Sequence, residues 1–233
     1  MLFCLMRRIL FFLTLLLLLP TFSDVRCGER PAPGDSCRDL YDRMQLEGIV
    51  DYTAFEQAMA GSGKIGRERE EILTLIDFSK PSTEQRLYVL DLKQRKLLFR
   101  SLVAHGRNSG GNYATSFSNV AGSYKSSLGF YLTQNTYQGR NGYSLILDGL
   151  EKGINDQAKA RAIVIHGAAY CDSSVIASAG RLGRSFGCPA LPTAVSAAII
   201  DTIKGGTLLY IYAGDRNYLA RSPILASRRT ASL

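Results

Sequence analysis

Histidine is scarce in this chain: two residues, His105 and His166, among 233. A metal centre therefore has little to draw on. Zinc takes three or four cysteine, histidine or acidic ligands, and the set His166, Cys171 and Cys188 lacks a nearby fourth cysteine or histidine. Dense tracts of lysine or arginine are also missing, and the only terminal cluster is Arg228-Arg229. Nucleic acid is thus a poor match for the formal charge of +8, which fits an anionic surface such as cell wall or membrane better. No internal repeat or low-complexity tract is present. The one long apolar run, residues 9–19, has 11 residues, and a spanning helix needs about 20.

That short run has another reading. Arg7-Arg8 precede it, Pro20 breaks it, and Thr21 and Ser23 supply small residues for cleavage after Ser23. This is the layout of a secretory signal peptide over 1–23, with membrane attachment only if the segment stays uncleaved. Its removal lowers the formal charge from +8 to +6, because it carries Arg7 and Arg8 and no acidic residue. Export implies an oxidising compartment, periplasm or cell wall, where cysteines tend to pair. Cys27 and Cys37 flank a Pro/Gly-rich stretch, "CGERPAPGDSC", and are expected to form a local bridge.

Residues 24–71 read as a turn-rich leader with two bracing helices. One lies in "CRDLYDRMQLEG", stopping at Gly48, and the other in "DYTAFEQAMAGSG", ending at Gly61. From residue 72 to 215 the pattern turns to strands: "ILTLIDF", "RLYVLDL", "LLFRSLVA", "SSLGFYLTQNTY", "YSLILDGL", "RAIVIHG" and "TLLYIYAG". Asn141-Gly142 marks a hairpin. Asp172 is expected to cap a helix in "SSVIASAG". "TAVSAAIIDTIKGG" carries Val195, Ala198, Ile199, Thr202 and Ile203 at helical spacing, with Thr193 as cap. The sum is a mainly β (α+β) domain with accessory helices and chiefly antiparallel pairing, followed by a tail over 216–233.

Candidate chemistry centres on "RAIVIHG" and "SFGCPA". His166 ends an apolar strand before Gly167, and Cys188 follows 22 positions later. A thiol becomes a strong nucleophile on losing its proton, which an adjacent imidazole can accept. Gly187 allows close backbone approach, and N–H groups around Gly187 and Cys188 could form an oxyanion hole, since Pro189 has none. The same residues also fit a Cys171–Cys188 disulfide, or a buried thiol beside a core histidine.

"IVIHGAAYCD" and "GRLGRSFGCPAL" together resemble the active-site signature of the L,D-transpeptidase catalytic-domain (YkuD-like) family, in its murein subgroup. His166-Gly167 and Ser185-x-Gly187-Cys188 match that signature, and the likeness extends over roughly residues 85 to 214. It implies an L,D-transpeptidase-like β-sandwich acting on peptidoglycan stem peptides outside the cytoplasmic membrane. By that likeness Cys188 attacks the carbonyl before the terminal D-alanine and forms a thioester. An amine of a second stem or of a lipoprotein then takes the acyl group, and His166 serves as base and acid. Neither metal nor organic cofactor is required. Water as acceptor would make an L,D-carboxypeptidase, and a disulfide-stapled wall-binding domain is the non-catalytic alternative. The family's arginine after the cysteine is absent, since Pro189-Ala190 stands there. Arg184 or Arg181 is expected to hold the stem carboxylate instead. His105, Tyr170, Ser116 and Ser118 are further candidates for the cleft.

Overall fold

A computed structural model describes residues 36–226. The leader over 1–23 and Cys27, and with it the expected Cys27–Cys37 bridge, lie outside the described residues. Two helices come first. Ser36 and Asp39 exchange side-chain and backbone hydrogen bonds, both 3.1 Å, and this capping box starts α1 (Cys37–Arg43). The helix stops before Gln45, whose φ is +54°, well short of the expected Gly48. Asp51 caps α2 (Tyr52–Ser62) by accepting from the Ala54 N–H at 2.8 Å. Gly61 lies inside α2 and does not end it. A β-carbon there would fall 2.2 Å from the Phe130 ring, so glycine is required for the helix to reach the sheet.

The strands are β1 (Ile72–Asp77), β2 (Leu87–Asp91), β3 (Lys96–Ser101), β4 (Gly129–Gly139), β5 (Gly142–Gly149), β6 (Val164–Gly167), β7 (Ala190–Leu191) and β8 (Leu208–Tyr212). All eight form one sheet in the order β3-β2-β1-β8-β4-β5-β6-β7. Pairing is antiparallel except for β1 with β8 and β6 with β7. β1, β2 and β8 are buried at every position, as expected for apolar runs covered on both faces. β3 alternates and presents Lys96, Leu98 and Arg100 outward, which suits an edge. The turn between β4 and β5 is Arg140-Asn141, with Gly142 at φ +73° entering the next strand.

Helix α3 (Ser173–Ala179) follows a short 3-10 turn at Ala169–Cys171, α4 (Thr193–Ile203) precedes β8, and α5 (Arg216–Arg221) comes last. Asp172 does not cap α3 with its side chain. It accepts instead from the Thr193 N–H at 3.1 Å and ties the two helix starts together. Pro192, not Thr193, is the N-cap of α4, and the buried face is Ile199, Ile200 and Ile203 while Ala198 is exposed. The segment after 215 packs on the domain. Tyr218 is buried, and its hydroxyl and that of Ser222 donate to the buried Glu151 carboxylate.

One contact sets the stage for the site. Ala104, just beyond edge strand β3, exchanges backbone hydrogen bonds with Ala190 of β7 at the opposite edge, at 2.8 and 3.4 Å. The two ends of the sheet are thereby brought together beside Cys188. Among the described residues, no helix is long and apolar enough to cross a membrane.

Candidate active site

The turn carrying Cys188 is built by its own neighbours. The Ser185 hydroxyl accepts from the Gly187 N–H at 3.0 Å and donates to the Cys188 carbonyl at 2.6 Å. The Ser126 hydroxyl accepts from the Gly106 N–H and donates to the Gly187 carbonyl, both at 3.0 Å. Ser185 itself pairs with the 105–107 segment through His105 O and Arg107 N. Gly187 has φ +129°, and a β-carbon would lie 2.9 Å from the Lys125 carbonyl. The glycine is therefore needed for the turn to press against the protein's own backbone, and it does not line the cleft as expected.

Cys188 lies against the start of β6. Its thiol is 3.7 Å from the Ala162 carbonyl and receives the Val164 N–H. His166, two residues after Val164, pairs with Ala190 across the β6–β7 ladder. Cys188 and His166 line one cavity of about 280 Å³ together with Asn141, Gly167, Ala168, Tyr170, Arg184, Ser185 and Phe186. The thiol makes no hydrogen bond to the imidazole in this state. His166 Nδ1 donates to the Gly167 carbonyl at 3.0 Å; a carbonyl only accepts, so Nδ1 carries the hydrogen and Nε2 keeps its lone pair. Gly167 has no room for a side chain, since a β-carbon would meet Ser196 Oγ at 2.5 Å.

Electrostatics favour neutral forms of both groups. Burial pushes the Cys188 thiol up, against the opposing pull of the Val164 N–H and the nearby Arg161. Burial also lowers the His166 imidazole, partly offset by the Gly167 carbonyl. Removing either charge from water is costly, so the resting pair is a thiol and a neutral imidazole, not an ion pair. Of the N–H groups named for an oxyanion hole, that of Gly187 is committed to Ser185. Among the described residues, the Cys188 N–H has no protein acceptor beyond its own sulfur.

Several expected residues lie elsewhere. His105 is fully buried. Its Nδ1 accepts from Arg86 Nη2 at 2.8 Å, and it lines no part of the Cys188 cavity. Arg181 also stays outside that cavity and donates to the Leu182 carbonyl. Arg184 lines it, but spends Nη1 on the Arg107 and Gly110 carbonyls at 3.2 and 2.9 Å. Ser116 and Ser118 line a different cavity of about 340 Å³, with Asp215, Asn217 and Arg221. Cys171 and Cys188 are separate thiols, not a disulfide. Cys171 is buried, donates to the Ala190 carbonyl at 3.2 Å, and is pushed up to about 12 by burial. Among the described residues no cluster of histidine, cysteine and acidic side chains is placed to hold a metal.

Three contributors escaped the sequence reading. Phe186 and Asn141 sit inside motifs already singled out, so their positions carried a signal. Arg161 stands in "NDQAKAR", which reads as a solvated turn or as one rim of the site, with no single residue marked. Its guanidinium instead clamps the 118–127 loop through the Ser118 and Lys125 carbonyls and the Ser123 and Ser127 hydroxyls.

The chain is similar to known proteins. The model of the L,D-transpeptidase catalytic domain matches residues 46–212, and the chain belongs to that family. Similar solved structures include an L,D-transpeptidase from Mycobacterium smegmatis, at 13% identity and TM-score 0.38, covering 64% of this chain and 60% of that one. The helical cell shape determining protein of Campylobacter jejuni is 14% identical, with TM-score 0.41 and coverage of 67% and 54%. A fused Zn-dependent amidase/peptidase/peptidoglycan-binding domain-containing protein of Clostridium acetobutylicum is 18% identical, with TM-score 0.39 and coverage of 86% and 72%. The chain thus spans less than two thirds of the length of the first two. A search of the curated proteins gave no match.

Proposed function

We propose that this protein is an exported cysteine acyltransferase that cleaves the terminal D-alanine from peptidoglycan stem peptides and passes the remaining acyl group to an amine. The observation that carries the reading is the shared cavity: within the matched domain, Cys188 and His166 face one space, and the imidazole has a free Nε2. Because the resting pair is neutral, the thiol is deprotonated as it attacks. His166 Nε2 takes the proton while sulfur bonds to the acyl carbon. The Cys188 N–H is the donor left for the developing oxyanion. The tetrahedral adduct collapses, the C–N bond breaks, and the imidazolium returns its proton to the departing D-alanine amine. A thioester on Cys188 remains. An incoming amine, on a second stem or a lipoprotein, gives its proton to His166, forms the new amide and expels the sulfur as a thiolate, which takes that proton back from the imidazolium to restore the neutral pair.

The leader, with Arg7-Arg8 and the 11-residue apolar run, supports action in the periplasm or cell wall. Purified protein given disaccharide-tetrapeptide is expected to yield free D-alanine and a cross-linked dimer, both absent with Cys188→Ala. Free D-alanine with tripeptide and no dimer would assign water as the acceptor. No product with the wild type contradicts the enzymatic reading.

A further inference from the structure

The cleft has a lip that the chemistry above does not use. Phe186, which lines the Cys188 cavity, is 63% exposed, and its ring centroid lies 4.8 Å from that of Tyr124, itself 39% exposed. The Arg107 guanidinium sits over both rings, 4.9 Å from the Tyr124 centroid and 5.3 Å from that of Phe186. Large exposed aromatics clustered at a cavity mouth mark a binding surface. The cluster is also held in place. The Arg107 N–H donates to the Ser185 carbonyl at 2.8 Å, and the Arg107 carbonyl accepts from Arg184. Tyr124 takes φ +53°, uncommon for a bulky residue, and its carbonyl accepts from the Asn108 N–H at 3.1 Å. Gly106 makes room for that carbonyl, since a β-carbon there would lie 2.6 Å away.

What distinguishes Arg107 is what its guanidinium leaves unused. Arg161, Arg181 and Arg184 all donate to backbone carbonyls. Among the described residues, the Arg107 side chain donates to no protein acceptor and pairs with no acidic side chain; the aromatic rings alone steady it. Cation–π attraction leaves the in-plane N–H fork free, and that fork matches a carboxylate with two parallel hydrogen bonds. We propose that Arg107, braced by Tyr124 and Phe186, is the carboxylate anchor of this cleft, holding a stem-peptide carboxylate while the acyl carbonyl rests at Cys188. The identity of the peptide rests on the function proposed above. Arg107 meets the cavity lining through Phe186, and Arg184, which lines the cavity itself, has its Nη1 held by the Arg107 and Gly110 carbonyls.

The test measures binding without turnover. Calorimetry compares Cys188→Ala protein with Cys188→Ala/Arg107→Gln, using disaccharide-tetrapeptide and two probes. One probe carries a carboxamide on the terminal D-alanine, the other an amide on the side-chain carboxyl of the diamino acid. Arg107→Gln is expected to weaken the unmodified peptide about tenfold, with Arg107→Lys recovering part of the loss. One of the two amidations should reproduce that loss in the Arg107 protein and have no effect in the Arg107→Gln protein, which names the carboxylate. An unchanged Kd for Arg107→Gln, amidation effects of equal size in both proteins, or no peptide binding at all would overturn the proposal. If the peptide binds through Arg107 but the wild type releases no D-alanine, the anchor stands and the acyltransferase reading falls. D-alanine release with binding indifferent to Arg107 gives the reverse.

Discussion

The molecule holds a cysteine, a histidine and an arginine together twice. In one grouping Arg86 bonds to His105 and acts electrostatically on Cys171. In the other, Cys188 and His166 share a cavity and Arg161 acts on the thiol from the loop behind. Both histidines directly precede a glycine at the end of an apolar stretch of sequence, although His105 lies four residues beyond β3 and His166 lies within β6. Their surroundings separate them. Arg86 can only donate, so Nδ1 of His105 accepts, and its Nε2–H faces the Gly110 carbonyl at 3.5 Å. Arg86 is fully buried, bonds to the Val103 and Lys80 carbonyls and lies over Phe78, and its own proton is held less tightly, down to about 9. Every named group there has a partner. At His166 the tautomer is reversed, Nε2 is unspent, and the adjacent thiol opens to a cavity. The two groupings thus differ in which donors and acceptors are left over, not in which residue types are present.

Substitutions break the comparison most sharply. Cys188→Ala should lower D-alanine release by at least about 10³-fold, because no other group can carry the acyl intermediate. Cys171→Ala should leave turnover near wild type, measured under identical conditions. Equal losses would dissolve the distinction between the two thiols. Next, Arg86→Met should cost about 3–5 kcal/mol in denaturant unfolding, since two carbonyls and the His105 ring lose their donor in the interior. Arg161→Gln should reduce activity by about tenfold through a loosened 118–127 loop, with a smaller loss of stability.

Titration sharpens it further. His105 is lowered from 6.5 to about 4, chiefly by burial and then by Arg86. The unfolded chain therefore binds the extra proton first. Stability present above pH 6.5 should decline as pH falls and reach a loss on the order of 3 kcal/mol near pH 4. His105→Gln should flatten that decline. For the open pair, the directions at His166 and Cys188 place the acid limb of kcat/KM below 6.5 and the alkaline limb above 9.0. An acid limb at or above 6.5 would contradict the neutral resting pair. The smallest effect is the stability change on Cys171→Ala, about 1 kcal/mol for one buried thiol and its hydrogen bond.

Strands β1 to β6 and β8 and helices α1 to α4 were legible because each is a local pattern, such as the apolar runs of β1, β2 and β8 and the hairpin around Asn141; the two-residue β7 and helix α5, in the expected tail, were not. The neighbours of β8 were not, because its parallel partner β1 is the first strand of the chain and β8 the last, with Leu73 opposite Leu208. The site divides in the same way. Cys188, His166, Ser185 and Gly167 stand in a compact motif. Ser126 reaches the Gly187 carbonyl across a long stretch of sequence, and Arg161 works through the Ser118 and Lys125 carbonyls, also far from it in the chain. Neither leaves a local periodicity. His105 shows the converse, a strand end that looks like a cleft residue until Arg86, back at the start of β2, is seen to occupy it.

The most direct test is intact-protein mass spectrometry after brief exposure to disaccharide-tetrapeptide, followed by peptide mapping. The account predicts a hydroxylamine-labile acyl adduct, lighter than the substrate by D-alanine, on Cys188 in the wild type and in Cys171→Ala, and on neither cysteine in Cys188→Ala. An adduct on Cys171, or steady D-alanine release from Cys188→Ala protein, would contradict it.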